Sequence, residues 1–401
     1  MQNLKKKLKY SLVIGCSLLF LNCIEPFEPE AVNFNSALVV EATITDENKN
    51  QEIFVSRTFA LDTTGIYGER GAEVSVTDTN GAVYNFMEVE EGKYVSNVSF
   101  AAKVGLGYTL SIITNDGSTY SSDEVIAPQP AKIDSLYAER DFKGGEDNEG
   151  MFIYVDSYDR TGVNSYYRYT YEETYKIIVP YWGPKDYYLV DGEVQLLPRI
   201  IQNRICYNTI PSINILQTTV DNLSGSKLTK FPVRFLNRGD FKITYRYSIN
   251  VRQFVQNKNS FDYYELLNKL NSSESLFSQI QHGFLVGNIV SDKDSTEKVV
   301  GYFQVSSVSS ERLFFNYTDY FPNEPRPEFP ADCYFSFELP TFYRGESVGL
   351  IFFEDYDPVL NPRDLLPNLG TNNLGTLLNV PRPCGDCTVF GSNLKPDFWV
   401  D

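Results

Sequence analysis

The sequence predicts a mainly β protein: an N-terminal immunoglobulin-like or transthyretin-like β-sandwich, followed by a larger β-sandwich domain with a short helical insertion. Three observations predict this class. The chain has 28 Tyr and 28 Phe among its 401 residues, and aromatic side chains favour strands. Many short segments alternate between apolar and polar residues. Turn signals separate these segments, and in the N-terminal part of the chain no helical period lies between them.

The first domain is expected over residues 36–127. Residues 38–44 and 72–77 place their apolar side chains mainly on alternate positions, as half-buried strands do. The second of these segments runs into Asn80-Gly81, the preferred two-residue hairpin turn. A later strand meets a second turn at Asp116-Gly117. Several short strands at such close spacing indicate a sandwich.

A proline-rich linker is expected at residues 128–132, since the prolines of Pro128-Gln129-Pro130 lack backbone donors and favour extended structure. The second domain is expected over residues 133–401. Apolar residues at helical spacing, with Ser260 as the N-cap, predict a helical insertion over about 260–281. Long loops often carry function, and three proline-containing segments are expected to be such loops: 180–198, 317–330 and 355–383.

The first 22 residues have the composition of a secretory signal. Four lysines among residues 5–9 precede an apolar run over 10–21, which at about 12 residues is too short to span a membrane. The run ends in Phe20-Leu21-Asn22-Cys23, which resembles the lipobox of bacterial lipoproteins. Cys16 is an alternative, although it would leave a short apolar region. Cys23 is therefore the predicted lipidation site, with a plain secreted protein as the other interpretation.

The charge of the chain argues against polyanionic partners. The formal net charge is −17, and it becomes −21 when residues 1–22 are removed, because four lysines and no acids are lost. Such a charge disfavours nucleic acid and anionic lipid as partners, so membrane attachment would depend on acyl chains. Residues 23–35 form an acidic, proline-containing tether. Its acids directly behind Cys23 look like the export signal that sends Bacteroidota lipoproteins to the outer face of the outer membrane.

Four further cysteines are Cys206, Cys333, Cys384 and Cys387. In an exported protein an even number implies two disulfides, with three possible connectivities. The favoured pairing joins Cys206 and Cys333 to the two C-terminal cysteines. The C-x-x-C spacing of the last two also fits a redox or a zinc motif. Both are disfavoured, because the motif follows two prolines in an apparent loop and the compartment is oxidising.

Catalytic and metal-binding residues are sparse. The single histidine, His282, cannot supply an HExxH pair or a three-histidine zinc site, and no metal or cofactor is expected. A glycosidase needs only two carboxylates, so the acidic cluster at 354–357 keeps that chemistry open. Asp156 and Asp159 are weak candidates for calcium, without an ordered ligand spacing.

Aromatic residues in the long loops of the second domain are the candidate contacts to a ligand or a partner. An aromatic-rich stretch over 166–182 could stack on sugar rings, or it could pack inside the β-sheets. The candidates are Tyr181, Trp182, Tyr320, Phe321, Phe329 and Tyr356.

With these segments in view, the chain resembles a Bacteroidota lipoprotein family known as domain of unknown function 4249. No single piece is specific, but their order and spacing carry the resemblance. The pieces are Leu38-Val39-Val40-Glu41, Ile133-Asp134-Ser135-Leu136-Tyr137, Arg246-Tyr247-Ser248, Gln253-Phe254, Gly287-Asn288-Ile289, Gly301-Tyr302-Phe303, Ser306-Ser307-Val308 and Lys395-Pro396-Asp397-Phe398-Trp399.

The resemblance implies a setting similar to that of accessory lipoproteins of TonB-dependent transporters, and it supplies no catalytic motif. The leading hypothesis is therefore a non-catalytic, lipid-anchored outer-membrane protein that faces the cell exterior and binds such a transporter or its ligand. The alternatives are a glycan-binding or adhesive module and, third, a carboxylate-based glycoside hydrolase.

Overall fold

The computed structural model describes residues 36–59, 67–145, 148–190, 193–221, 227–271, 285–334, 356–359 and 378–401. These residues form a mainly β protein, as predicted. Burial follows the alternation in the sequence: Leu38, Val40, Ala42 and Ile44 of the first strand are buried, while Glu41 between them is exposed.

In the described part of the chain, the first sheet has eleven strands and encloses one apolar core. Its hairpins match the expected turns, because Gly81 and Gly117 adopt the positive φ angles that such turns need. In chain order its strands are β1 (Leu38–Thr45), β2 (Glu52–Arg57), β3 (Tyr67–Gly68), β4 (Glu73–Asp78), β5 (Val83–Glu90), β6 (Lys93–Ser96), β7 (Gly107–Ile113), β8 (Thr119–Ser122), β9 (Val125–Ile126), β19 (Ile289–Ser291) and β20 (Val299–Ser306).

The last two of these strands correct the expected domain division. β20 pairs in parallel with β1 over its whole length, and β19 pairs with β8 at the other end of the sheet. The sheet curls so that these ends meet: the Asn288 side chain donates to Phe303 O (2.9 Å) and accepts from Phe303 N (2.8 Å). A domain boundary at residues 128–132 therefore does not separate the sheets, because segment 289–306, which comes after this boundary, belongs to the first sheet.

The second unit is a sandwich of two antiparallel sheets. Met151, Ile153 and Val155 of the smaller sheet share one apolar core with tyrosines such as Tyr167 and Tyr247 of the larger sheet. The smaller sheet contains β10 (Ile133–Phe142), β11 (Glu149–Tyr158) and β17 (Lys227–Asn237). The larger sheet contains β12 (Tyr166–Ile178), β15 (Ile205–Pro211), β16 (Leu216–Thr219), β18 (Arg246–Gln256) and β21 (Val308–Asn316).

The expected helical insertion contains helix α1 (Lys258–Asn271), and the rest of it, 272–284, lies outside the described residues. The N-cap prediction was wrong by three residues. The Asn257 side chain accepts from Ser260 N at 2.7 Å, and Ser260 itself is buried in the first turn. Asn257 can serve as the N-cap in place of Ser260, because asparagine caps a helix about as well as serine does.

The three expected loops contain regular structure. Segment 180–198 holds an antiparallel hairpin, segment 317–330 begins with one helical turn, and segment 355–383 includes two paired strands. The elements are β13 (Lys185–Val190), β14 (Glu193–Pro198), α2 (Tyr317–Tyr320), β22 (Tyr356–Val359), β23 (Leu378–Pro381), α3 (Arg382–Gly385), and 3-10 turns at Phe241–Ile243 and Cys387–Val389.

Candidate binding surfaces

Two disulfides connect the C-terminal segment to the second unit, as the favoured pairing predicts. Cys206 of β15 bonds to Cys387, and Cys333 bonds to Cys384 of α3. The two cysteines of the C-x-x-C motif thus bond to different partners and not to each other. This arrangement contradicts the redox and zinc interpretations of the motif, since both need its two thiols to act together.

Three of the expected contact residues instead support this cross-linked region. Tyr181 and Phe329 pack beside Val380 and Cys384 in a small apolar cluster. Trp182 packs against the main core, and its Nε1 donates to Asn203 Oδ1 at 3.0 Å. All three side chains are partly buried and pack against apolar residues of the protein itself.

Phe321 was expected to contact a ligand or a partner at the surface. This prediction is wrong, because the ring is only 1% exposed. It stacks on Tyr317 with ring centroids 4.8 Å apart, and the Arg140 guanidinium lies over it at 4.5 Å. Tyr320 is partly buried and donates to Ala138 O at 3.1 Å. The sequence alone could not show that Phe321 is buried, because Arg140, which lies over its ring, is some 180 residues away along the chain.

Other sites expected from the sequence lie wholly or partly outside the described residues. Cys23 and His282 are not described, and neither are residues 354 and 355 of the acidic cluster. Tyr356 is the first residue of strand β22 and lies opposite Pro381 of β23. The contacts expected of these side chains stay predictions.

The carboxylates proposed for calcium are engaged by the protein itself. Asp156 accepts from Tyr137 Oη (3.1 Å) and from Lys230 N (2.7 Å). Asp159 closes its own turn by accepting backbone N–H groups, including that of Asn164 at 2.7 Å. Within the described ranges, no group of three or more His, Cys, Asp or Glu side chains is placed to hold a metal ion.

A buried ion cluster joins the two sheets of the second unit. Glu173 of β12 is 3% exposed, and it accepts from Arg234 Nε at 2.9 Å, Arg234 Nη2 at 3.2 Å and Tyr247 Oη at 2.8 Å. Lys242 also forms an ion pair with it. Burial opposes ionisation of Glu173, but the hydrogen bonds from Arg234 and Lys242 outweigh it and lower the pKa of this carboxyl.

A second set of ion pairs holds the loop after α2. Arg140 and Arg238 each contact both Glu149 and Glu324, and both guanidinium groups lie over the ring of Phe321. The hydrogen bond from Arg140 lowers the pKa of Glu149. Both carboxylates serve as charge partners of the two arginines.

Three cations surround a cavity of about 240 Å³ at the end of the larger sheet. We call it the basic cavity, and it is lined by Lys176, Ile178, Tyr245, Arg246, Asn316, Tyr317, Thr318, Arg326 and Asp401. The Arg326 guanidinium lies over the Tyr245 ring at 4.7 Å. Arg246 donates through Nε to Val400 O (2.5 Å) and through Nη1 to Asn316 Oδ1 (3.1 Å). Sequence reasoning missed this site, because its cations come from three distant segments.

An aromatic strip crosses the outer face of the smaller sheet. Neighbouring ring centroids are 5.8 Å apart for Tyr137 and Tyr154, 5.5 Å for Tyr154 and Phe152, and 4.6 Å for Phe152 and Phe235. Lys230 lies over Tyr154 at 5.2 Å. Phe152 and Tyr154 alternate with the core residues Met151 and Ile153 along β11, and alternate residues of a strand point to opposite sides. Phe152 is partly buried on this outer face, whereas Tyr154 is only 9% exposed.

Together, the fold and these surfaces define a protein of two β units that carries open cavities. No helix in the described part of the chain has the length and apolar character needed to cross a membrane.

A family profile described as "Domain of unknown function (DUF4249)" matches residues 24–312, which is more than half of the chain. The chain belongs to this family, which confirms the resemblance at that level.

Other comparisons add little. No curated protein matches the chain. One similar solved structure is that of a DUF4785 family protein from Legionella pneumophila, which is 10% identical with a TM-score of 0.17. The match covers 54% of this chain and 52% of that one, so the chain spans about half the length of that structure. At this TM-score the similarity carries no argument.

Proposed function

We propose that the protein is a lipid-anchored binding protein of the outer membrane, held by Cys23 and facing the cell exterior. We further propose that it is a non-catalytic partner of a TonB-dependent transporter. The observation that carries the first part is the order of segments: a basic and apolar signal, a lipobox-like Phe20-Leu21-Asn22-Cys23, and an acidic tether. The family match begins at residue 24, directly behind Cys23, which supports this reading.

Two carboxyl groups that are paired with basic side chains, those of Glu149 and Glu173, do not suit proton-transfer chemistry. A glycoside hydrolase needs one carboxyl group whose pKa is raised, so that it can donate a proton. The pKa values of Glu149 and Glu173 are instead lowered by hydrogen bonds from basic side chains. These two carboxylates are therefore poor general acids. The hydrolase hypothesis would need other acidic residues.

The anchor is tested by blocking acylation in the native host. We expect Cys23→Ser to move the protein from the membrane fraction to the soluble fraction, whereas Cys16→Ser, the matched control, leaves it in the membrane. Proteinase K added to intact cells should degrade the wild-type protein, since it faces outwards. Membrane retention of Cys23→Ser, or full protection from the protease, would count against the corresponding part of the proposal.

The transporter partnership is tested separately. The tagged protein, solubilised in mild detergent, should co-purify with one large β-barrel protein in near-stoichiometric amounts. Recovery of the protein alone after gentle cross-linking would argue against a stable transporter complex.

The aromatic strip favours glycan binding as the second candidate function. Aromatic rings in a row can stack on sugar rings, and Asp156 and Lys230 supply polar groups beside them. On a glycan array, Phe152→Ala/Phe235→Ala should lose any signal that the wild type gives. Tyr67→Ala, which removes an exposed ring of the first sheet, is the control. A signal that survives in the double variant would exclude the strip.

A further inference from the structure

We propose that the basic cavity binds a small ligand through an oxyanion group, a carboxylate or a phosphate. This inference is independent of the lipid anchor, so its failure would leave the proposal for Cys23 untouched, and the reverse also holds.

The first support is the register of the larger sheet. Tyr175 on β12 pairs with Tyr247 on β18, and the next residues at this end of the two strands are Lys176 and Arg246. Two cations are therefore neighbours across adjacent strands, an arrangement that destabilises a sheet unless a negative charge compensates it. Asp401 supplies such a charge for Lys176 at 3.3 Å, and an anion held between the two cations would supply it for Arg246 as well.

The second support is the charge balance inside the cavity. Among the described residues, its lining contains three cationic side chains and one acidic side chain, that of Asp401. This carboxylate is 58% exposed, and it is shared between Lys395 (2.7 Å) and Lys176 (3.3 Å). Asp319 is not part of this lining; its carboxylate accepts from Asn316 N at 2.8 Å and from Asn316 Nδ2 at 3.2 Å. The lining thus carries an excess of positive charge, in a chain whose formal net charge is −17.

The third support is the orientation of the two guanidinium groups. The Arg326 guanidinium lies over the Tyr245 ring, with its central carbon 4.7 Å from the ring centroid, and this cation–π contact helps to hold it in place. Arg246 is fixed by hydrogen bonds to Val400 O and Asn316 Oδ1, which occupy only two of its five N–H donors. Such pre-oriented forks suit planar or tetrahedral oxyanions.

The lining also limits the ligand. A cavity of about 240 Å³ admits a small molecule rather than a folded partner. Tyr245, Tyr317 and Ile178 add ring and aliphatic surface beside the cations, which suits an anion attached to a short organic body.

The test is isothermal titration calorimetry of the full chain in non-ionic detergent, in low salt, with inorganic phosphate and with acetate as separate probes. We expect saturable one-site binding of at least one of them. Arg326→Gln should weaken it roughly tenfold or more, since removing a charged hydrogen-bonding partner commonly has an effect of this size. Arg246→Gln/Arg326→Gln should abolish it. Raising sodium chloride to half molar should weaken it in the wild type.

The control is Arg160→Gln, which removes an exposed arginine outside the cavity and should bind like the wild type. Arg326→Gln is the decisive variant, because Arg326 is exposed and Arg246 also helps to hold the C-terminal segment. Thermal melting of each variant shows whether it is folded. Equal binding by Arg326→Gln and wild type, or no saturable binding of either anion, would overturn the proposal. Heat from dihexanoyl phosphatidylglycerol alone would overturn it in favour of a lipid head group.

Discussion

Replacement of Glu173 by glutamine is the sharpest test of how the second unit is held together. Glu173 is 3% exposed, and its two oxygens accept from Arg234, Lys242 and Tyr247. Glutamine keeps the volume but removes the charge, so that two cations lose their counter-ion between the sheets. Breaking a buried ion pair in this way costs about 3–5 kcal/mol. Because Arg234 and Lys242 are each 23% exposed, water compensates part of the loss, and we expect about 3 kcal/mol.

Urea unfolding followed by tryptophan fluorescence measures this cost. The matched control is Glu265→Gln. Glu265 forms a surface ion pair with Lys269, and the Glu265 side chain is 49% exposed. An exposed pair of this kind contributes about 0.5 kcal/mol or less. A Glu173→Gln variant within about 0.5 kcal/mol of the wild type would refute the claim that this cluster stabilises the sandwich.

The same cluster predicts a pH dependence with a defined sign. The pKa of Glu173 is lowered from 4.5 in the folded protein, so the folded state binds its proton less tightly than the unfolded state does. The contribution of Glu173 is therefore fully present above about pH 4.5 and is lost as the pH falls through the folded pKa. The stability difference between wild type and Glu173→Gln should shrink below pH 4.5. A difference that stays constant down to pH 3 would contradict this.

Three further variants test separate parts of the fold. Cys333→Ser/Cys384→Ser opens a cross-link across 51 residues and should lower the free energy of unfolding by about 4 kcal/mol on the chain-entropy estimate; an unchanged urea midpoint would contradict this. Gly301→Ala should cost roughly 3 kcal/mol, since Gly301 has a φ of +139° and a Cβ there would meet Val40 O at 2.1 Å; hydrogen exchange should report early opening of β1 and β20. Trp399→Ala should cost about 3–5 kcal/mol, because this side chain is 4% exposed and packs against the rings of Tyr207 and Phe314; a melting temperature equal to that of the wild type would show that this packing does not stabilise the fold.

Local signals in the sequence predicted the local parts of the fold. Alternating apolar residues identified β1 and β4, and Asn80-Gly81 identified the hairpin that follows β4, because periodicity and turn chemistry act between near neighbours. The hairpin of β13 and β14 was missed although Asp191-Gly192 separates its strands in the sequence. The surrounding prolines had favoured a loop instead.

The long-range features could not be predicted in this way. The parallel pairing of β1 with β20 joins segments about 260 residues apart, and nothing in either segment specifies the other. The basic cavity has the same character, because Lys176, Arg246 and Arg326 meet only once the sheet and the loop after α2 have formed. The sequence favoured joining Cys206 and Cys333 to the last two cysteines but left open which pairs with which; the fold pairs Cys206 with Cys387 and Cys333 with Cys384.

The proposed function depends most on an acylated cysteine at the start of the mature chain. Mass spectrometry of the N-terminal peptide, released from protein purified from its native membrane, tests this directly. The proposal predicts that the peptide begins at Cys23 and carries the added mass of acyl chains. A peptide that begins at another residue, or a Cys23 without acyl chains, would contradict it.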